Sequence, residues 1–162
     1  MTTDPPTSGP ELETLTGFLD FYRGTVVQAV TGLDRAALAY SPVGSDSSPG
    51  GILKHLAYVE RWWFQDVFGA REVQYPYTRE DPDADFRIEP DDSAGSLVEL
   101  YEREVRISRE LVAIHPDLDA VYETPRRPVS LRWILVHMIE ETARHAGHID
   151  ILTELHTDPI RR

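Results

Sequence analysis

The chain has 162 residues, 41% of them hydrophobic and 27% charged, the balance of one soluble domain with a core of its own. Its formal net charge of −12 and pI near 4.8 argue against nucleic acid as a partner and against docking on an anionic membrane. It has no cysteine, which removes disulfides and every mechanism that uses a protein thiol.

The opening "MTTDPPTSGP" lacks a basic stretch followed by an apolar one, so no secretion signal is read there and a cytoplasmic location is expected. Residues 1–10 read as a flexible arm and residues 11–158 as one domain. No apolar run approaches the ~20 residues that span a bilayer. From Glu11 to about Val30, apolar residues recur at Leu12, Leu15, Phe18 or Leu19, Tyr22, Val26 and Val30, which is helical spacing. Asp34 caps a short helical turn that Pro42 stops, and "SDSSPGG" introduces a second long helix from Gly51 to about Phe68.

The stretch "REVQYPYTREDPDADFRIEPDD" follows and has no clean period. Its acids read as solvated, while Tyr75, Pro76, Tyr77 and Phe86 are candidates to cover a pocket mouth; unstructured loops of this length are often functional. A third helix begins with Asp92 or Ser93 as cap and runs towards His115 and Pro116, and a fourth runs from Ser130 to about His156. No strand, internal repeat or phosphate-binding glycine loop is read. The fold class is therefore all-α: an antiparallel four-helix bundle with a long loop between helices two and three, a plan whose sites lie between facing helices.

The fourth helix poses the functional question. At ~100° per residue, Ile134 and Leu152 fall within ~20° of Glu141, and Met138 and Leu155 within ~60°. His145 lies ~40° to one side of Glu141 and His148 ~20° to the other, so these polar residues interrupt the apolar stripe. Glu140, Arg144 and Asp150 fall on other sides and read as solvated. On helix two, His55 shares the side of Ile52, Val59 and Trp62. A bare inward carboxylate costs several kcal/mol or takes a proton, so Glu141 needs a partner.

Three partnerships fit. One is a buried histidine–glutamate hydrogen-bond network. The second is a divalent metal held by His55, Glu141 and His145, since positions i and i+4 reach one ion and a set of two imidazoles and one carboxylate leaves a coordination position open. The third is a metal-free acid–base pair, for which no nucleophile stands nearby. His148 is either a ligand or an outer hydrogen-bond partner. His137 lies ~12 Å along the axis from His145, too far to share its ion. His115 and His156 end helices, where imidazolium suits the dipole. Arg61, Arg132 and Arg144 read as surface ion-pair formers, and Trp62, Trp63 and Trp133 as core or dimer contacts.

"GGILKHLAYVERWWFQDVF", followed far downstream by "SLRWILVHMIEETARHAGHIDILTELH", resembles the DinB-like superfamily of metal-binding four-helix bundles, in its actinobacterial branch of mycothiol-dependent enzymes. The likeness covers about Leu15 to Leu155, with its H…ExxxH signature placed on helices two and four. It implies His55, Glu141 and His145 as ligands of a divalent metal: zinc first, with nickel, manganese or iron as alternatives. Most members carry histidine at the Glu141 position. The glutamate version is similar to mycothiol-dependent maleylpyruvate isomerase, although that enzyme's separate C-terminal domain has no room in this chain. The resemblance further implies mycothiol or a similar small thiol as cosubstrate, transfer or isomerisation at a small electrophile, and a homodimer. A metal-binding or stress-response bundle without catalysis and a metal-dependent hydrolase are the alternative functions. No general base and no thiol-binding residue is assigned.

Overall fold

The computed structural model describes residues 4–45 and 47–157, and the molecule is predominantly helical. Residues 1–3 of the expected arm and residues 46 and 158 of the expected domain lie outside the described residues. Helix α1 (Glu11–Val30) starts behind Pro10 with Glu11 and Glu13 in its first turn, where carboxylates suit the helix dipole. It ends before Gly32, whose φ of +82° takes the chain into a left-handed turn. Asp34 caps α2 (Arg35–Leu38) by accepting from the Ala37 amide, as its sequence signals.

Helix α3 (Pro49–Glu60) is capped by Ser48, which accepts from the Gly51 amide, with Pro49 in the first turn. The same rod then continues as a π-helix over Arg61–Phe68. Helix α4 (Ala94–Ile114) opens with a reciprocal Ser93–Ser96 capping box, which settles the choice between Asp92 and Ser93. Helix α5 (Leu131–Thr157) follows a feature that periodicity did not reveal: strands β1 (Val121–Tyr122) and β2 (Val129–Ser130), paired antiparallel. Two-residue strands are too short to show an alternating pattern.

Helix α1 lies along α5 and α3 along α4, while α3 also touches α5 and α1. The apolar interior divides in two. One half gathers Val26, Leu38, Leu53, Leu56, Tyr101 and Ile149; the other gathers Leu19, Phe64, Leu111, Leu131, Ile134 and Met138. Each long helix carries polar residues between its contributions to the two halves: Arg23 on α1, Glu60 closing α3, Ser108 on α4, and Glu141 with Thr142 on α5. A buried polar layer therefore crosses the interior.

The long loop is laid onto α3. A Cβ on Gly51 would stand 2.2 Å from the Phe86 carbonyl oxygen, so only glycine permits this approach. Lys54 donates to the Arg87 carbonyl at 2.8 Å and to Asp92 at 3.0 Å. Gly51 and Lys54 thus hold the segment around residue 86 against the turn that carries His55.

Candidate metal centre

The polar layer opens at one side, where α3 and α5 face each other. His55, Glu141 and His145 each offer one donor atom there, and the three atoms lie within 4.8 Å of one another. His55 Nε2 stands 3.6 Å from Glu141 Oε1, and His145 Nε2 stands 3.1 Å from the same oxygen. The i, i+4 spacing on α5 places Glu141 and His145 one turn apart, and α3 brings His55 across the gap.

The environment of His55 determines what these atoms can do. Its Nδ1 lies 2.8 Å from a carboxylate oxygen of Asp85, a loop residue only 4% exposed. A carboxylate accepts, so Nδ1 carries a proton; Nε2 then donates to Glu141 when the ring is protonated and offers a lone pair when it is neutral. Phe86 stacks on the same imidazole at 4.1 Å between centroids. On the Glu141 side, Arg144 donates to Oε2 and, at 3.0 Å, to Glu140. That leaves Oε1 as the oxygen facing both imidazoles.

Two acceptors pointed at each other repel unless a proton or a cation stands between them. In the protein alone, the hydrogen bonds from His145 and then His55 hold the Glu141 carboxyl far below the usual carboxylate range, against burial. Burial pulls His55 down, but its bonds to Asp85 and Glu141 outweigh this and raise it. The donor set also fits a metal. A tetrahedral ion with bonds of ~2.0–2.1 Å sets its donor atoms about 3.3 Å apart, close to the 3.6 and 3.1 Å that separate Glu141 Oε1 from the two imidazole nitrogens. The Asp85–His55 contact is the carboxylate–imidazole pairing that orients metal-binding histidines. His145 differs, because its Nδ1 is buried without a partner among the described residues.

The sequence expectations divide accordingly. The structure brings His55, Glu141 and His145 together; His148 is exposed and only turns an edge towards His145, with ring centroids 5.4 Å apart. His137 stacks on Trp133 at 5.0 Å, away from the three donors. His115 closes α4, and His156 rests against Tyr40. Arg61 clamps Glu104 with two bonds, and Arg132 pairs with Glu11 and Asp119.

One residue departs from its solvated reading: Asp85 is buried on His55, whereas Arg144 stays exposed as read and makes the expected ion pairs, to Glu140 and Glu141. Asp85 lay hidden among the acids of an aperiodic loop; the only local hint was Phe86 beside it. The aromatic run divides as well: Trp63 and Phe64 are buried, while Trp62 is half-buried. The looser π-winding shifts their directions from those that a regular helix predicts.

A cavity of about 410 Å³ stands over the centre, with His55, Asp85, Phe86 and Glu141 on one side and Tyr77, Trp62 and His137 among its other walls. Of the loop aromatics expected at a pocket mouth, Tyr77 and Phe86 are there; Tyr75 stacks behind Tyr77 and donates to Asp66 at 2.9 Å. No described helix is long and apolar enough to cross a membrane.

No curated protein matches the chain. Residues 14–158 match the sequence model of a family described as mycothiol-S-transferase, a span that includes the loop, both facing helices and all three donor residues. The chain belongs to the mycothiol-S-transferase family, within the DinB-like superfamily of actinobacteria.

Proposed function

We propose that this protein is a metal-dependent enzyme that moves the sulfur of mycothiol, or a similar small thiol, onto a small electrophile. The observation that carries the reading is the convergence of His55, Glu141 and His145 beneath an open cavity, in a chain of this family. Three protein donors leave one position of a tetrahedral ion for an exogenous ligand, the pattern of catalytic zinc sites. Zinc is accordingly the proposed ion. When bound it would lower the pKa of a thiol and hold it as thiolate.

The residues of the chain supply the rest. Asp85 holds the neutral His55 ring in the tautomer whose Nε2 lone pair is free to bind a metal. Glu141 offsets one unit of positive charge through Oε1, while Arg144 occupies Oε2 and stops that carboxylate from turning away. Phe86 covers one face of His55 and keeps water from it. In the transfer itself, the sulfur forms a bond to the electrophilic carbon and the leaving group departs with its electron pair. The absence of cysteine accords with a thiol that arrives from outside.

The reading takes the long helices as an antiparallel four-helix bundle, acting in the cytoplasm as a homodimer. For pairing, the exposed apolar side chains include Phe18 at 41% and Val136 at 50%; Trp63 and Phe64 have been taken into the core. The test is to purify the protein without chelator, measure its metal, and supply a chromogenic electrophile with mycothiol and then with water alone. Thiol-dependent product that disappears on metal removal supports the transferase. Turnover of a labile ester without thiol would instead show a hydrolase, and bound metal with no turnover across a broad panel would show a binding protein.

A further inference from the structure

A second cavity, of about 770 Å³, adjoins the first and shares Trp62, Trp63 and His137 with it. The two cavities therefore border on the same three side chains. Its walls are aromatic planes: Trp63 and Trp133 have centroids 5.3 Å apart, and Trp133 stacks on His137. In a chain of net charge −12, the fully charged side chains lining this cavity are Arg126 and Arg127, and no carboxylate joins them. The metal-side cavity, by contrast, is lined by Asp83, Asp85 and Glu141.

The two arginines are presented rather than tied down. They sit on the turn between β1 and β2, where Thr124 accepts from both of their amides and donates to the Arg127 carbonyl at 2.7 Å. Pro125 and Pro128 stiffen the same turn. Both side chains are exposed, and among the described residues neither guanidinium is paired with a carboxylate; Arg127 instead lies over the Trp133 ring at 5.5 Å. Indole walls favour a planar, polarisable ring, and free guanidinium groups favour a carboxylate.

We infer that this cavity is the electrophile subsite, and that it selects an aromatic electrophile bearing a carboxylate. The inference takes its reaction from the transferase reading, but its binding claim stands independently of thiol and metal. For a chloronitrobenzoate, the thiol sulfur bonds to the ring carbon carrying chloride, that C–Cl bond breaks with chloride taking the pair, and the thiol proton passes to solvent. The ring lies against the aromatic wall that Trp62, Trp63 and Trp133 form together, and its carboxylate meets Arg126 and Arg127.

The experiment is a titration of the intrinsic tryptophan fluorescence with dinitrobenzoate and with uncharged dinitrobenzene, no thiol being present. The carboxylate is expected to bind about tenfold more tightly, the gain of a charge-assisted hydrogen bond. The double variant R126A/R127A should erase that preference and R126K/R127K should keep part of it. Equal affinity of the two probes, a preference that survives R126A/R127A, or displacement of dinitrobenzoate by mycothiol alone would overturn the assignment. A saturable, arginine-dependent titration with no conjugation of chlorodinitrobenzoate to mycothiol would leave the subsite standing and count against the transferase.

Discussion

Arg23, Glu60 and Ser108 occupy the same buried layer as Glu141, yet the two groups are built differently. Glu60 is wholly buried and fully matched: Arg23 binds it with two bonds of 2.8 and 2.7 Å, and Ser108 adds a third at 2.7 Å. Next to it, Arg61 and Gln65 match Glu104 in the same way. On the α5 side, Glu141 faces two imidazoles, one of them oriented by Asp85, beneath a cavity. The first group is closed in charge and geometry. The second is closed only when a proton or a cation joins it, and that incompleteness makes it the candidate site.

The comparison breaks most sharply if the second group holds no ion. Glu141→Ala and His145→Ala should each abolish metal retention on elemental analysis, whereas His156→Ala, beside Tyr40, should retain it; equal retention in all three would refute the ligand set. The matched group should respond in stability instead. Arg23→Ala leaves Glu60 buried and unpaired, which is expected to cost about 3–5 kcal/mol in denaturant unfolding. Replacing the pair together, Arg23→Met with Glu60→Leu, should recover most of that loss, because desolvation of both charges is then avoided.

Asp85→Asn sharpens the contrast at the candidate metal centre. It should weaken metal affinity about 10- to 100-fold in competition with a chromophoric chelator, while changing the unfolding midpoint little. Gly51→Ala tests the scaffold behind it: the new methyl displaces the Phe86 carbonyl, expected to cost about 1–3 kcal/mol and to lower metal affinity with it. The smallest effect concerns acid. Burial raises the Glu104 carboxyl, but its bonds to Arg61 outweigh this and hold it below the ordinary range. Its stabilising contribution is thus present above the unfolded value of ~4.3 and is lost as pH falls through the lower folded value. Arg61→Gln should move the acid-unfolding midpoint to higher pH.

Much of this was legible in the chain. The inward direction of Glu141 and His145 followed from positions relative to Ile134, Met138 and Leu152, because a regular helix converts spacing into direction. His55 was readable by the same reasoning since it precedes the π-segment. Beyond Glu60 the conversion fails, and with it the expected direction of Trp62, because i→i+5 bonding winds the rod differently. Asp85 had no period to betray it. Arg144, read as solvated from its angle, has a side chain long enough to reach round to Glu141.

What the sequence determined by itself was the set of long helices, their caps, and the presence of inward donors on two of them; each is a local property, written in spacing and in the residues at helix ends. What only the tertiary structure decided was that the donors share one centre, that a loop carboxylate orients His55, and that an aromatic cavity with two unpaired arginines adjoins them. These depend on contacts between segments distant in the chain, such as Gly51 against Phe86, and no local periodicity records how closely two backbones approach.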